Sequence, residues 1–263
     1  MKVAKKSNYG KCLPDSFGEK YGRKNEQATS VFDPVVCELI YTWFMPKNGS
    51  KVLDCFAGGS VRGIVASVLG KNYTGIDLRQ EQTEANEMQF DEMKNKFCDM
   101  NFKPINWICG NSLDVKKLTN NEKFDLVFSC PPYYDLEVYS DNKNDLSNLE
   151  SYDDFLLQYK KIIYRSCSLL NDDCFACFVV GDIRDKNGFY RNFVGDTISA
   201  FKDAGLNYYN EIILVNSAGS LPIRVSKQFN SGRKIGKRHQ NILVFYKGDV
   251  KNIKDKYGEV VID

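Results

Sequence analysis

Apolar residues gather in seven short runs, at 51–57, 73–78, 105–110, 124–130, 175–182, 211–215 and 241–246, rich in Val, Ile, Leu, Phe and Tyr. Runs of this length, bounded by Gly, Asn, Asp or Ser, read as strands buried within a sheet. Between most of them the apolar spacing lengthens to three and four residues, as in Ile64, Val65, Val68 and Leu69, which predicts helices. Alternating strands and helices predict an α/β fold: a mostly parallel sheet with right-handed crossovers and helices on both faces, three layers in all. The last two runs are separated by a Gly-, Ser- and Arg-rich stretch without a helical pattern, so they are expected to form an antiparallel hairpin at or near one edge.

Two turns at the carboxyl ends of these strands carry candidate chemistry. The run 124–130 ends in Ser129-Cys130-Pro131-Pro132-Tyr133. Open α/β sheets bind ligands at that edge. Two prolines fix φ and lack N–H groups, leaving carbonyls rigidly held as acceptors, and an aromatic ring follows at once. Rigid acceptors beside a stacking surface suit a planar group with an exocyclic amine, such as adenine or cytosine flipped out of a nucleic acid.

The second turn is Asp54-Cys55-Phe56-Ala57-Gly58-Gly59-Ser60, where a strand runs into glycines that let backbone approach a cofactor. Asp77, with Leu78 beside it, ends the next strand about 20 residues on, where an acid can hold a ribose diol. The turn lacks the G-x-G-x-x-G spacing of a dinucleotide site, which disfavours NAD and favours a smaller nucleoside cofactor.

On these motifs the chain resembles the S-adenosylmethionine-dependent DNA methyltransferases that modify exocyclic amino groups. Residues 54–60 are similar to their D-P-F-x-G-x-G cofactor motif and Ser129-Cys130-Pro131-Pro132-Tyr133 to their [DNS]-P-P-[YFW] catalytic motif. Thr29, Ser30, Phe32 and Asp33 resemble the segment that closes over the methionine moiety, and Gly110-Asn111-Ser112 the G-D-S near the adenine. Residues 56–63 and 181–184 look closest to small bacteriophage-encoded methylases. The resemblance implies a Rossmann-like methyltransferase sheet over residues 28–248, S-adenosylmethionine as cofactor, and Cys130, Pro131, Pro132 and Tyr133 as catalytic residues. Cofactor binding falls by the same resemblance to Thr29, Ser30, Phe32, Asp33, Asp54, Phe56, Ala57, Gly58, Gly59, Ser60, Asp77, Leu78, Asn111 and Ser112. Four positions depart from the family pattern: Cys130 stands for Asp, Asn or Ser, Cys55 for proline, Ser60 for glycine and Asn111 for aspartate. A thiol is the weaker acceptor, so catalysis leans on the Pro131 carbonyl.

Composition narrows the picture further. The 263 residues suit one catalytic domain. No apolar run approaches membrane-spanning length, and the Lys-rich start has no signal core, so a cytoplasmic protein without membrane partners is expected. Nine scattered cysteines suit a reducing compartment. Cys174-Phe175-Ala176-Cys177 has metal-like spacing but sits in a strand pattern with no second pair, and the lone His239 cannot complete a site, so no metal is expected.

The net charge of +2 conceals segregation. Residues 1–24 hold seven Lys or Arg against two acids, and residues 216–263 ten against four. Arg224, Lys227, Arg233, Lys234, Lys237 and Arg238 fall in an acid-free stretch, read as a nucleic-acid-binding loop over 216–240 that contacts phosphates. Residues 1–27 read as a basic mobile arm and 249–263 as a charged, mobile C-terminal tail. The expected partner is DNA and the assembly a monomer or homodimer. Transfer goes to adenine N6 in preference to cytosine N4. RNA or protein-glutamine transfer, or a non-catalytic nucleic-acid-binding role, are the alternatives. C5 chemistry is disfavoured because it needs a Cys after proline, and Cys130 precedes both prolines.

Overall fold

The computed structural model describes residues 32–216 and 221–260, the side chains of 221–224 excepted. The basic arm at 1–27 lies outside the described residues. Residues 33–214 and 240–260 form one compact unit, and 215–239 a second.

All seven apolar runs are strands: β1 (Lys51–Asp54), β2 (Asn72–Asp77), β3 (Ile105–Cys109), β4 (Phe124–Ser129), β5 (Leu170–Val180), β6 (Asn207–Val215) and β7 (His239–Lys247). They make one sheet in the order β3-β2-β1-β4-β5-β7-β6. Strands β3 to β5 run parallel through their pairings, and β7 reverses against β5. The order turns at β1 and β4, which places a crevice at the carboxyl ends of those two strands.

Helices cover both faces. In chain order they are α1 (Pro34–Phe44), α2 (Val61–Val68), α3 (Gln80–Lys96), α4 (Val115–Leu118), α5 (Tyr152–Leu169), α6 (Phe193–Asp203), α7 (Leu221–Gly232) and α8 (Ile253–Lys256). Their starts are written locally. Asp33 accepts the Val35 N–H at 2.9 Å ahead of Pro34, and Ser151 accepts the Asp154 N–H at 3.0 Å ahead of an acidic first turn.

Neighbouring strand residues point to opposite faces. Phe128 meets Tyr41 of α1 at 5.6 Å, while buried Val127 joins the cluster with Phe155, Tyr159 and Ile163 of α5. On β5, Phe175 packs edge-on to Phe44 of α1 at 5.2 Å and Phe178 to Phe201 of α6 at 4.8 Å. Fully burying each such ring contributes about 1.5–3 kcal/mol.

Two expectations are corrected. The stretch between β6 and β7 is not a plain loop: α7 occupies its first half, with apolar residues recurring at 221, 225 and 229 among the polar ones. The charged tail is packed against the rest of its unit as far as Tyr257. The Lys47 N–H bonds the Lys256 carbonyl at 3.1 Å, and the Tyr257 ring lies 5.1 Å from Phe175 with its hydroxyl on the Asp173 carbonyl.

Candidate active site

The glycine turn is held from beneath by a buried ion pair. Asp54, fully buried at the end of β1, takes Arg62 Nε at 2.5 Å and the Tyr73 hydroxyl at 2.6 Å on one oxygen. Its other oxygen takes the Phe56 N–H at 3.1 Å and Ser129 Oγ at 2.5 Å. Burial works against the Arg62 charge, but Asp54 more than restores it, and Arg62 stays protonated. Arg62 Nη2 then donates to the carbonyls of Phe56 and Ala57, both at 2.8 Å. Asp54, expected to touch the cofactor, is instead fully buried beneath the turn, with four protein donors on its two oxygens. It positions the turn.

Above this base, Gly58 adopts φ +51°, a left-handed conformation that side chains disfavour. Its N–H donates to Asp77 Oδ2 at 3.0 Å, and its carbonyl accepts from Asn86 at 2.7 Å. No described atom lies within 4 Å of where a Cβ would stand on Gly58 or Gly59. The cradle is open to a ligand that approaches backbone closely. Gly63 has another purpose, since a Cβ there would lie 2.5 Å from Trp107. Ala57 is buried and donates to the Ile76 carbonyl, while Ser60 turns its hydroxyl to Gln89 at 2.5 Å.

Asp77 is half-buried at the tip of β2 and also caps Arg79 N–H at 2.9 Å. Burial raises its pKa above the usual carboxylate value. Leu78 follows, half-buried, with its carbonyl taken by Cys109. Across the edge, Asn111 caps Leu113 N–H at 2.9 Å. Ser112 faces inward to the Cys55 carbonyl at 2.6 Å, so it braces β1 from below. Asp33 caps α1, Phe32 opens the described chain, and Thr29 and Ser30 lie outside the described residues.

The Pro-Pro-Tyr turn emerges from β4 beside this cradle. Cys130 is half-buried; burial pushes its thiol up, with the Tyr133 hydroxyl as hydrogen-bond partner. Among the described residues no donor takes the Pro131 carbonyl. Tyr133 is fixed in place: its hydroxyl accepts from Gln240 Nε2 at 2.7 Å, and its ring sits edge-on to Phe193 at 5.7 Å. Tyr134 then takes φ +48°. That conformation costs a non-glycine residue about 1–2 kcal/mol. Packing outweighs it, with Tyr152 and Phe155 within 5.7 Å of the Tyr134 ring and the Arg191 guanidinium 4.9 Å over it.

Sequence reasoning missed Ser129, Arg62, Tyr134 and Gln240. Ser129 reaches Asp54 across 75 positions and Gln240 reaches Tyr133 across 107, contacts that no local pattern carries.

The basic segment forms part of the second unit. Lys227 lies on α7, three residues after Arg224, whose side chain is not among those described. Arg233 follows the helix at φ +51° and places its guanidinium 5.1 Å over Phe229. Lys227, Arg233, Lys234 and Arg238 are exposed, and Lys237 is half-buried. Cys174 and Cys177 are buried thiols of β5, and among the described residues no cluster of His, Cys, Asp and Glu could hold a metal. None of the described helices is long and apolar enough to cross a membrane.

A family model for DNA methylases matches residues 124–260. Ribosomal RNA small subunit methyltransferase D of Buchnera aphidicola is 29% identical over 119 residues, covering 44% of this chain and 59% of its own. TrmN from Thermus thermophilus superposes with a TM-score of 0.51 at 11% identity, over 82% of this chain and 49% of that one. An enzyme of echinomycin biosynthesis that converts a disulfide into a thioacetal gives 0.51 at 14% identity, over 84% of each chain. The chain thus spans three-fifths or less of the first two relatives. At such identities the structural likeness shows the fold alone.

Proposed function

The chain belongs to the DNA methylase family, and on that premise we propose that it methylates the exocyclic amino nitrogen of a base flipped out of DNA, adenine N6 ahead of cytosine N4. It is an S-adenosylmethionine-dependent methyltransferase. The observation that carries the reading is the contact of Ser129 with Asp54, which sets the glycine cradle and the Pro-Pro-Tyr turn side by side at one sheet edge.

S-adenosylmethionine, when bound, supplies an electrophilic methyl carbon. The residues that fit it are the open turn at Gly58 and Gly59, with Phe56 and Ala57 leading in. The Asp77 carboxylate, its side chain 14% exposed at the tip of β2, suits its ribose, and Leu78 and Asn111 the rim of its base. Thr29, Ser30, Phe32 and Asp33 are assigned to its methionine end by family resemblance.

The Pro131 carbonyl accepts a hydrogen bond from the target amine, and Cys130 Sγ offers a second, weaker acceptor. Both draw the nitrogen lone pair out of conjugation with the ring. Pro132 stiffens the turn. Tyr133, held by Gln240 and Phe193, offers its face to the base, a stack worth about 1–3 kcal/mol. Attack by nitrogen forms the N–C bond as the C–S bond breaks. The amine proton then leaves to solvent, since burial keeps Cys130 a neutral thiol and a poor base.

Arg224, Lys227, Arg233, Lys234, Lys237 and Arg238 are assigned to phosphates. A second reading, RNA as acceptor, draws on the match to ribosomal RNA methyltransferase D. Incubating the protein with methyl-labelled S-adenosylmethionine and either unmethylated plasmid DNA or total RNA, then resolving the nucleosides by mass spectrometry, decides between them. N6-methyladenosine in RNA with unmodified DNA would overturn the DNA reading.

A further inference from the structure

The carboxyl end of β5 continues into a hairpin over residues 183–191 that the reaction above does not use. We propose that Phe189, directly after its turn at 186–188, enters the base stack where the target nucleotide has been extruded, and holds the gap open. This rests on the DNA reading above.

The hairpin is ordered by its own contacts. Arg191 N–H bonds the Ile183 carbonyl at 3.0 Å, Asp185 N–H the Phe189 carbonyl at 2.8 Å, and Arg184 pairs with Tyr190 in an antiparallel bridge. The Asp185 carboxylate turns back onto the Phe189 N–H at 2.8 Å. Arg184 lies 3.9 Å over the Tyr190 ring and donates to the Gly188 carbonyl at 2.7 Å. A ring presented on an ordered hairpin has less entropy to lose on insertion than one on a mobile loop.

Both feet of the hairpin stand on the catalytic turn. At one foot, a Cβ on Gly181 would lie 3.9 Å from the Tyr133 hydroxyl. At the other, the Arg191 guanidinium covers Tyr134 and reaches Asp135 at 3.4 Å. Phe189 is 72% exposed, the most exposed phenylalanine among the described residues, and Tyr190 is 46% exposed. Single exposed apolar residues are common. This one is singled out by its ordered support, its place beside the turn that receives the base, and its cationic neighbours Arg184 and Lys186. Leu136 and Val138, also exposed, stand in sequence among three acids, Asp135, Glu137 and Asp141, whereas the hairpin holds the single acid Asp185, one oxygen of which takes the Phe189 N–H. Those acids would repel a phosphate backbone.

The test compares two duplexes that carry the sequence found methylated in plasmid DNA, one with the target base paired, the other with an abasic site opposite it so that extrusion is cheap. Phe189→Ala is expected to slow transfer on the paired duplex on the order of 10-fold and on the abasic duplex by less than about 2-fold, with Phe189→Trp restoring the paired rate. Equal loss on both duplexes, or none on either, overturns the wedge while leaving the methyltransferase reading intact. Absence of transfer by the unaltered protein to any DNA overturns both.

Discussion

Ser129 Oγ donates to Asp54 Oδ1 at 2.5 Å and accepts the Phe56 N–H at 3.0 Å. One hydroxyl thereby joins the ends of β1 and β4, the strands at which the sheet order turns. The glycine cradle and the catalytic turn belong to residues 75 positions apart, and this buried hydroxyl ties them together just beyond the β1–β4 ladder.

Ser129→Ala removes one donor from Asp54 and the second acceptor from Phe56, so it should lower stability by about 1–3 kcal/mol. S-adenosylmethionine affinity and methyl transfer should both fall. Urea unfolding and calorimetry measure the two. Lost stability with unaltered cofactor affinity would show that the cradle keeps its shape without the link.

Arg62→Met strands a buried carboxylate. Breaking such a pair on one side costs about 3–5 kcal/mol. Tyr73, Ser129 and Phe56 still donate to Asp54, so the lower end is expected. A double variant with Asp54→Asn should recover part of the loss. A single variant that unfolds within 1 kcal/mol of the parent would mean that those three donors suffice alone.

What could be read in the chain followed from periodicity and punctuation. Buried runs such as 73–78 and 124–130 became β2 and β4 to within two residues, because an interior strand must be apolar on both faces. Gly58 was legible because few other residues tolerate φ +51°. Ser129 and Arg62 were not, since a serine at a strand end and an arginine in a helix look the same whether they face water or a buried carboxylate. The partners of Asp54 were hidden for the same reason: an acid at a strand tip suggests a ligand, while its donors Phe56, Arg62, Tyr73 and Ser129 stand 2, 8, 19 and 75 positions away. The helix at 221–232 escaped because Ser, Gly and Asn masked an apolar spacing that becomes plain once its ends are known.

At the catalytic turn, Cys130→Ser supplies a better acceptor in nearly the same volume and should retain or raise the transfer rate. Tyr133→Phe keeps the ring and loses the hydroxyl's bonds to Gln240, Cys130 and the Val179 carbonyl, so transfer should stay within about tenfold. Tyr133→Ala, losing the stack, should fall by about 5- to 150-fold. Single-turnover rates on saturating DNA read these effects. An inactive, folded Cys130→Ser would assign the thiol a chemical part in the reaction.

Alkaline pH should unfold the protein through its thiols. Burial pushes Cys37 and Cys55 up to about 12, from 9.0 in an exposed chain. Above pH 9 the unfolded chain loses these protons while the folded one keeps them, so the unfolded state binds fewer protons and stability falls with rising pH. The contribution is whole below pH 9 and is lost as pH climbs toward 12. Urea midpoints between pH 8 and 11 should decline, more shallowly in Cys55→Ala. A flat profile would mean that these thiols ionise in the folded protein as readily as in water.

The basic segment answers to salt. If Lys227, Arg233, Lys234, Lys237 and Arg238 track phosphates together with Arg224, log affinity for duplex DNA should fall against log salt by about 0.9 per contact. Phosphates position a duplex without specifying its sequence, so charge removal there should weaken binding to all sequences alike. Lys227→Gln with Lys234→Gln should flatten the slope by about 2 if both touch phosphate. Arg233 is a separate case, since its guanidinium already lies over Phe229. Arg233→Lys keeps the charge but loses the planar stack, and should therefore alter affinity with little change in slope. Fluorescence anisotropy from 50 to 300 mM salt gives both quantities. A slope indifferent to every charge in 224–238 would move the phosphate contacts to the basic arm between Lys2 and Lys24.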